Sequence, residues 1–368
     1  FHCIFFLKQI KIQNSKMKTK LLIIDRGQLG ILTDTLKYCE YLHCHFNITY
    51  ICFDEHRKKI EIPQVKIIYV SSSGGKLFKN VRFLITCILY CLFYKGKIFT
   101  VYFPKCHWLK KILPFKKMHI DIRTLSVHKS LEQQQIENKS IEHAVNVFDS
   151  ASFISKGIKQ KLHLKTNLPT FILPLGADII SHTDKDFNCL KLLYMGTLSN
   201  RHIIDTVKGV KMFKDKYPEI PLIYSIIGDG EELYEIKNYI HMQKLESTIH
   251  TYGRLPYSEL KPFLDTHNIG ISYIPQLECY EYQPPTKTFE YALSGLYTIA
   301  TNTYENRQVI HSNNGILIND TISDFAKALY DTYQHRREYN SQTIRKSMEK
   351  WQWEKIIQQS LIPIISFK

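Results

Sequence analysis

Short apolar runs alternate with amphipathic helical runs along almost the whole chain. That alternation predicts an α/β protein built from two facing, doubly wound, Rossmann-like domains, because strands apolar on both faces belong in parallel sheets covered by helices. The rhythm breaks once, over the polar and aperiodic stretch Ile179–Cys189, directly after the turn signal Pro174-Leu175-Gly176. The length of 368 residues agrees with two or three domains at roughly 100–200 residues each. With 44% apolar and 23% charged residues the chain can bury a sizeable core, which excludes a disordered chain, a collagen-like chain and a small disulfide scaffold.

In the first half, strands are expected at Lys20–Asp25, Ile48–Phe53, Val65–Val70, Ile98–Phe103, His119–Thr124, Val145–Phe148 and Thr170–Leu173. Helical periodicity fills Thr33–Leu42, Lys76–Tyr94 and Glu132–His143 between them. In the second half, strands are expected at Leu190–Met195, Leu222–Ile227, Thr248–Tyr252, Ile269–Tyr273, Tyr297–Thr301 and Ile316–Ile318. Helices are expected at Ile203–Lys216, Glu231–Lys244, Tyr257–Thr266, Thr286–Ser294, Ser323–Tyr333 and Glu354–Leu361. This gives a first domain over 17–180, a linker over 181–189, a second domain over 190–350 and a C-terminal helix over 351–368 that packs back on the first domain. Residues 1–16 read as an upstream extension, with Met17 as the start: the apolar run Ile4–Leu7 is too short for a signal peptide and no cleavage site follows.

Nine cysteines, none in a CxxC and most among apolar neighbours, fit free thiols packed as small hydrophobes in a reducing cytoplasm. The formal charge of +15 (49 basic against 34 acidic residues) favours anionic partners: nucleic acid, phosphorylated ligands or an acidic membrane surface. The positive charge reads as spread along the chain, and no nucleic-acid-binding motif appears.

Two facing α/β domains leave a cleft at the carboxyl ends of their strands, where ligands bind in such sheets. Gly228-Asp229-Gly230 follows a strand and either forms a plain turn or lets the backbone approach a ligand. Gly27-Gln28-Leu29-Gly30 has the same two readings after the first strand. Neither completes a dinucleotide fingerprint, and no P-loop occurs. In Gln283-Pro284-Pro285-Thr286-Lys287-Thr288-Phe289-Glu290 the prolines set a helix start, and Lys287 and Glu290 share a face other than the buried stripe. The two form either a surface ion pair or a seat for a phosphate and a sugar hydroxyl. Arg201, in the loop after Gly196, suits bidentate phosphate binding, with a solvated loop charge as the alternative. Asp121, Arg123 and His128 fall near the cleft end of a first-domain strand, where they are candidates for acceptor contact or proton transfer. Asp184-Lys185-Asp186 has the form of a metal clamp but sits in the linker with no strand before it, so it reads as a decoy.

With these residues in place, the chain resembles the GT-B retaining glycosyltransferases of family 4, the glycosyl transferases group 1. The likeness covers most of Lys20–Tyr333, is strongest from Leu190 to Asp320, and rests on Tyr194-Met195-Gly196-Thr197-Leu198, Ile226-Ile227-Gly228-Asp229-Gly230, Tyr252-Gly253-Arg254-Leu255, Pro285-Thr286-Lys287-Thr288-Phe289-Glu290-Tyr291, Ser294-Gly295-Leu296 and Asn314-Gly315-Ile316-Leu317-Ile318, in the family's order and approximate spacing. The resemblance implies sugar transfer from a nucleotide-diphosphate sugar, with retention and with no metal or other cofactor. It puts Arg201 and Lys287 at the leaving diphosphate and Glu290 at the ribose. Gly27, Gly30, Gly196, Gly228, Asp229, Gly230, Arg254 and Thr286 then belong to the donor site. Two departures stand out: Thr197 replaces the family's arginine after the glycine, and Tyr282 stands eight before Glu290 where the family has its earlier glutamate.

The bacterial surface-polysaccharide setting of that resemblance implies a glycan or polyprenyl-diphosphate-linked glycan acceptor at the cytoplasmic face. Phe83–Phe93, flanked by Lys76, Lys79, Arg82, Lys95 and Lys97, is either a buried helix with snorkelling ends or a peripheral contact with anionic lipid. It is about half a membrane span. The rival functions are a nucleotide-sugar 2-epimerase of the same layout, a basic nucleic-acid-binding protein, and a non-catalytic nucleotide-binding relative.

Overall fold

The computed structural model describes residues 18–128 and 130–367; the reading of residues 1–16 and of Met17 lies outside them. The first half forms a seven-stranded parallel sheet from β1 (Thr19–Ile24), β2 (Phe46–Asp54), β3 (Val65–Ser71), β4 (Lys97–Val101), β5 (His119–Ile122), β6 (Ser150–Phe153) and β7 (Thr170–Ile172), in the order β3-β2-β1-β4-β5-β6-β7. Its helices are α1 (Thr33–Leu42), α2 (Lys76–Phe93), α3 (His107–Ile112), α4 (Leu131–Val145) and α5 (Lys156–Gln160). The second half forms a six-stranded parallel sheet from β8 (Leu190–Met195), β9 (Leu222–Ile227), β10 (Ile249–Gly253), β11 (Ile269–Ser272), β12 (Tyr297–Thr301) and β13 (Gly315–Ile318), in the order β10-β9-β8-β11-β12-β13. Around it lie α6 (Ile203–Lys216), α7 (Leu233–Met242), α8 (Lys261–Thr266), α9 (Glu278–Glu281), α10 (Thr286–Leu293), α11 (Tyr304–Arg307), α12 (Ile322–Gln334) and α13 (Ser341–Ser347).

Strand order reverses between β1 and β4 in one sheet and between β8 and β11 in the other. Crevices for ligands open at such points, beyond the carboxyl ends of the strands. The central strands are apolar on both faces because helices cover both: Leu21–Ile24 of β1 and Leu192–Met195 of β8 are buried throughout.

One expected strand is displaced. Val145–Phe148 is not a strand: Ala144 and Val145 are the buried end of α4, and the strand is β6, five residues later. Its sequence, Ser-Ala-Ser-Phe, lacks the apolar signature because Ser152 pairs with buried polar neighbours, donating to Asp121 Oδ1 at 2.5 Å and meeting His119 Nε2 at 2.8 Å.

The chain crosses between the sheets twice, side by side. Ala177 N–H donates to the Trp351 carbonyl at 3.0 Å, and Trp353 N–H donates to the Ala177 carbonyl at 3.1 Å. Gly176 permits this approach: a Cβ there would lie 2.7 Å from the Trp353 ring. From Trp353 onward, an α turn, a wider π turn over Ile357–Leu361 and a last turn over Ile362–Ser366 run along the first domain. There Trp353 meets Tyr38 edge-on at 6.1 Å and Phe367 meets Phe171 at 5.1 Å. Segment 181–189 packs on the second domain: Asp184 pairs with Arg345 at 2.7 Å, and the Asp186 carbonyl accepts from Asn268 Nδ2 at 2.6 Å. Among the described residues no group of three or more His, Cys, Asp or Glu is placed to hold a metal ion.

Candidate active site

A cavity of about 880 Å³ opens at the carboxyl ends of the second sheet. The loops after β8, β9, β10 and β11 and the start of α10 line it, and Thr33, at the start of α1, closes it from the first domain.

Close backbone packing builds the floor. Gly196 N–H donates to the Ile227 carbonyl at 3.0 Å, Leu198 N–H to the Asp229 carbonyl at 2.9 Å and Gly228 N–H to the Gly253 carbonyl at 2.8 Å. Side chains are excluded where these loops touch. A Cβ on Gly228 would run into the Gly196 carbonyl oxygen, and one on Gly196 would stand 2.9 Å from Lys287 Nζ. The glycines of both loops therefore admit a ligand, or a neighbouring cation, close to the backbone.

Lys287 lies on the first turn of α10 with its ammonium 3.9 Å from the centre of the Tyr194 ring. The Tyr194 hydroxyl is turned away, donating to the Thr197 carbonyl at 2.6 Å. Burial, reinforced by the nearby Arg201 charge and opposed by Glu290, pulls the Lys287 ammonium down to about 7. Burial pushes the Glu290 carboxyl up to about 7, against the pull of Lys287. Both side chains keep part of their surface on the cavity but lie deep in the protein. They are not a surface ion pair. The site holds a cation at a desolvation cost that an anionic ligand would relieve.

The N-terminus of α10 adds to this field. Pro285 precedes it, no side chain caps it, and Thr286 and Lys287 line the cavity. The positive end of a helix left open in this way attracts anions. By contrast α6 is already capped: Glu232 accepts from the N–H groups of Arg201, His202 and Ile203 at 2.8, 3.0 and 2.7 Å. That latch also fixes the loop carrying Arg201, whose guanidinium lies 4.4 Å over the Tyr280 ring. A helix core anchors α10. Tyr291 fills the space over Gly270 and its hydroxyl accepts from Met195 N–H at 2.7 Å, while Thr288 meets Ser272 at 2.6 Å.

Of the sequence candidates, Gly196, Arg201, Gly228, Asp229, Gly230, Arg254, Thr286, Lys287 and Glu290 all line this cavity. Gly27 and Gly30 do not. Their loop is a structural turn in which Asp25 accepts from Gly27 N–H at 3.1 Å and Gln28 Oε1 from Glu55 N–H at 2.8 Å. Gly30 has a left-handed φ of 96°, a conformation the bend requires and glycine adopts without strain.

Asp121 and Arg123 do not line it either. Arg123 binds Asp34 Oδ1 at 2.5 Å and the Leu173 carbonyl at 2.6 Å, and Asp121 is fully enclosed between Ser152 and Tyr38. Burial pushes the Asp121 carboxyl up to about 6, with Arg123 opposing. These charges hold the first domain together. His128 accepts from Ser130 N–H at 3.1 Å, outside the cavity.

The two departures have local explanations. Tyr282 packs against α5: its ring lies where a Cβ on Gly157 would be and stands 4.8 Å from Lys161 Nζ. Glu278 binds Lys161 at 3.0 Å and Glu281 binds Arg307 at 2.9 Å, so neither substitutes for a glutamate at that position. Thr197 lines the cavity without a charge, leaving Arg201 as the cation on that side. Sequence reading missed Thr33, Tyr257, Tyr280 and Gln283 as lining residues and Tyr194 and Glu232 as supports. Their only sequence signal is position: Tyr194 is the last residue but one of a strand, two before Gly196, and Tyr280 and Gln283 lie four and one residues before the proline pair.

Residues 190–335 match the sequence profile of the family described as Glycosyl transferases group 1. No curated protein matches the chain. Among solved structures, a sucrose-phosphate synthase from Thermosynechococcus elongatus is similar at TM-score 0.74 and 15% identity, covering 93% of this chain and 97% of its own. The lipopolysaccharide outer core galactosyltransferase WaaB is similar at TM-score 0.67 and 15% identity, covering 94% and 99%. Anabaena HepE, solved in complex with UDP, is similar at TM-score 0.71 and 12% identity, covering 95% and 100%. At these identities the likeness is one of fold: the two parallel sheets form the GT-B architecture of sugar-transferring enzymes.

Proposed function

We propose that the protein transfers a sugar from a nucleotide-diphosphate sugar to a hydroxyl of a glycan or lipid-linked glycan, with retention, in the synthesis of a surface polysaccharide such as a capsule, O-antigen or exopolysaccharide. The observation that carries this reading is the convergence of Lys287, Arg201 and the uncapped start of α10 on one cavity at the strand ends. HepE structures with UDP and with UDP-glucose, and the lipopolysaccharide role in the WaaB name, support the donor and acceptor classes.

In this reading the bond from the anomeric carbon to the diphosphate oxygen breaks and a bond to the acceptor oxygen forms on the same face. The acceptor proton passes to the leaving phosphate. Lys287, Arg201 and the α10 amides stabilise the charge that develops there, as preorganised donors do in a water-poor site. Glu290 accepts from the ribose hydroxyls. No divalent ion and no carboxylate nucleophile is invoked. Incubation with nucleotide-sugar donors, with and without glycan acceptors, tests this, the product's anomeric configuration being read by NMR. Product that forms only with an acceptor and retains configuration supports transfer; an isomerised sugar nucleotide without acceptor indicates the epimerase instead.

A pH dependence follows from Lys287. Its ammonium loses its proton as pH rises through about 7 in the free protein, so nucleoside diphosphate affinity weakens above that pH, by up to about tenfold per unit. Lys287→Arg keeps its charge at every accessible pH. Calorimetric titrations from pH 6 to 9 are expected to show a sloping alkaline limb for the wild type and a flat one for the variant.

A further inference from the structure

Helix α2 is apolar on two opposite sides. Phe83, Cys87 and Cys91 form the buried stripe. A second stripe, Phe78, Val81, Ile85, Leu89 and Leu92, follows the same helical period but is 38–65% exposed. It extends over about 21 Å of helix at 1.5 Å per residue. The patch continues onto the neighbouring helix α3 and its following loop, where Trp108, Ile112 and Phe115 are 45%, 47% and 68% exposed. Lys116 Nζ, donating to the Tyr94 carbonyl at 3.0 Å, ties that loop to the end of α2. A soluble monomer rarely leaves so much contiguous apolar surface uncovered.

The charge around the patch identifies what covers it. Residues 62–120 hold eleven Lys and Arg and no Asp or Glu. The positive charge is therefore not spread along the chain, as sequence reading first has it: eleven of the net +15 arise in this one segment. Lys76 stands at one end of the exposed stripe, Lys95 just beyond the other, and Lys105, Lys111 and Lys117 around α3 are exposed. An apolar stripe framed by cations and free of acids fits a surface that is itself apolar inside and negative outside. A second copy of the chain would bring two cationic frames together, and a nucleic acid offers nothing to the stripe. No described helix is long and apolar enough to cross a membrane.

We propose that the α2–α3 face docks flat on an anionic lipid bilayer, the exposed stripe entering the headgroup boundary and the lysines meeting lipid phosphates. This surface is separate from the donor cavity, so its failure and the failure of the transfer reading are independent: a catalytically inactive protein still binds membranes through it.

The test is vesicle flotation of the full chain with phosphatidylcholine vesicles containing one-third phosphatidylglycerol, against pure phosphatidylcholine. Binding is expected on the anionic vesicles at low salt, at least about tenfold weaker on the neutral ones, and lost at high salt. The double variant Ile85→Ser, Leu89→Ser removes only exposed methyl-bearing groups and is expected to melt like the wild type yet bind the anionic vesicles at least about tenfold more weakly. Trp108 emission is expected to shift to the blue on binding, and the shift to disappear in Trp108→Phe. Absence of binding to anionic vesicles at low salt overturns the proposal. So does equal binding by the double variant, or a wild-type dimer that the double variant converts to monomer, which would place a second copy on this face.

Discussion

Lys287→Met is expected to lower sugar-transfer kcat/KM by about a thousandfold while leaving the fold intact. The ammonium lies over the Tyr194 ring with Gly196 leaving room beside it, and burial is the main cause of its lowered value. Removing one preorganised group aimed at a developing charge typically costs about 10²–10³ in rate, and Lys287 carries a full charge. The same substitution is expected to stabilise the ligand-free protein, raising its melting temperature by roughly 2–4 °C, because it removes a charge buried without a ligand to meet it. The sign follows from the lowered folded-state value of about 7 against 10.5 for an ordinary lysine. Below pH 7 the native state holds a penalised charge, and between about 7 and 10.5 the penalty shrinks because the native state has already released the proton. The stabilisation by Lys287→Met is therefore largest below pH 7 and fades as pH rises towards 10.5. Thermal melts at pH 6 and pH 9, beside initial-rate measurements, check both halves. A variant with unchanged kcat/KM would remove Lys287 from the reacting centre.

Arg123→Met is expected to destabilise the first domain by about 3–5 kcal/mol, the usual cost of leaving a buried ion-pair partner alone. Burial opposes the Arg123 charge, and Asp34, with Asp121 near it, holds it in place. Its guanidinium also binds the Leu173 carbonyl, which connects β7 to the start of the crossover. Removing it strands Asp34 and Asp121 inside the domain. A fall in melting temperature of roughly 10 °C is expected, with kcat per folded molecule little changed. A loss of kcat without a loss of stability would restore Arg123 to the reacting groups. Denaturation followed by Trp fluorescence, with activity measured well below the transition, separates the two.

The contrast between these arginine and lysine sites shows what the sequence carries. Strands such as Leu190–Met195 and Leu222–Ile227 were legible to the residue because local apolarity and bounding turns define them. The second-domain site was legible as a set because its residues sit at strand ends in one continuous order. The first-domain candidates were not. Gly27 and Gly30 look the same in sequence whether their loop cradles a phosphate or only turns, and the deciding contacts come from the backbone at Glu55 and Arg57. Asp121 and Arg123 stand at the end of a strand like cleft-facing residues, and their enclosure depends on Asp34, distant in sequence. Lys287 and Glu290 left two readings open because spacing along a helix does not reveal depth. Tyr194 and the Gly196 loop, supplied from another strand, decide it. β6 escaped because its serines serve buried polar partners instead of presenting an apolar run.

The central claim is that this cavity binds a nucleoside diphosphate through Lys287 and Glu290, and its most direct test is calorimetric titration of UDP, GDP, ADP, CMP and TDP into the wild type, Lys287→Met and Glu290→Ala, without added metal. One diphosphate is expected to bind the wild type one to one, with affinity at least about tenfold weaker in each variant. A folded wild type that binds none of them, or binds one with an affinity that both variants retain, would contradict the assignment of the site.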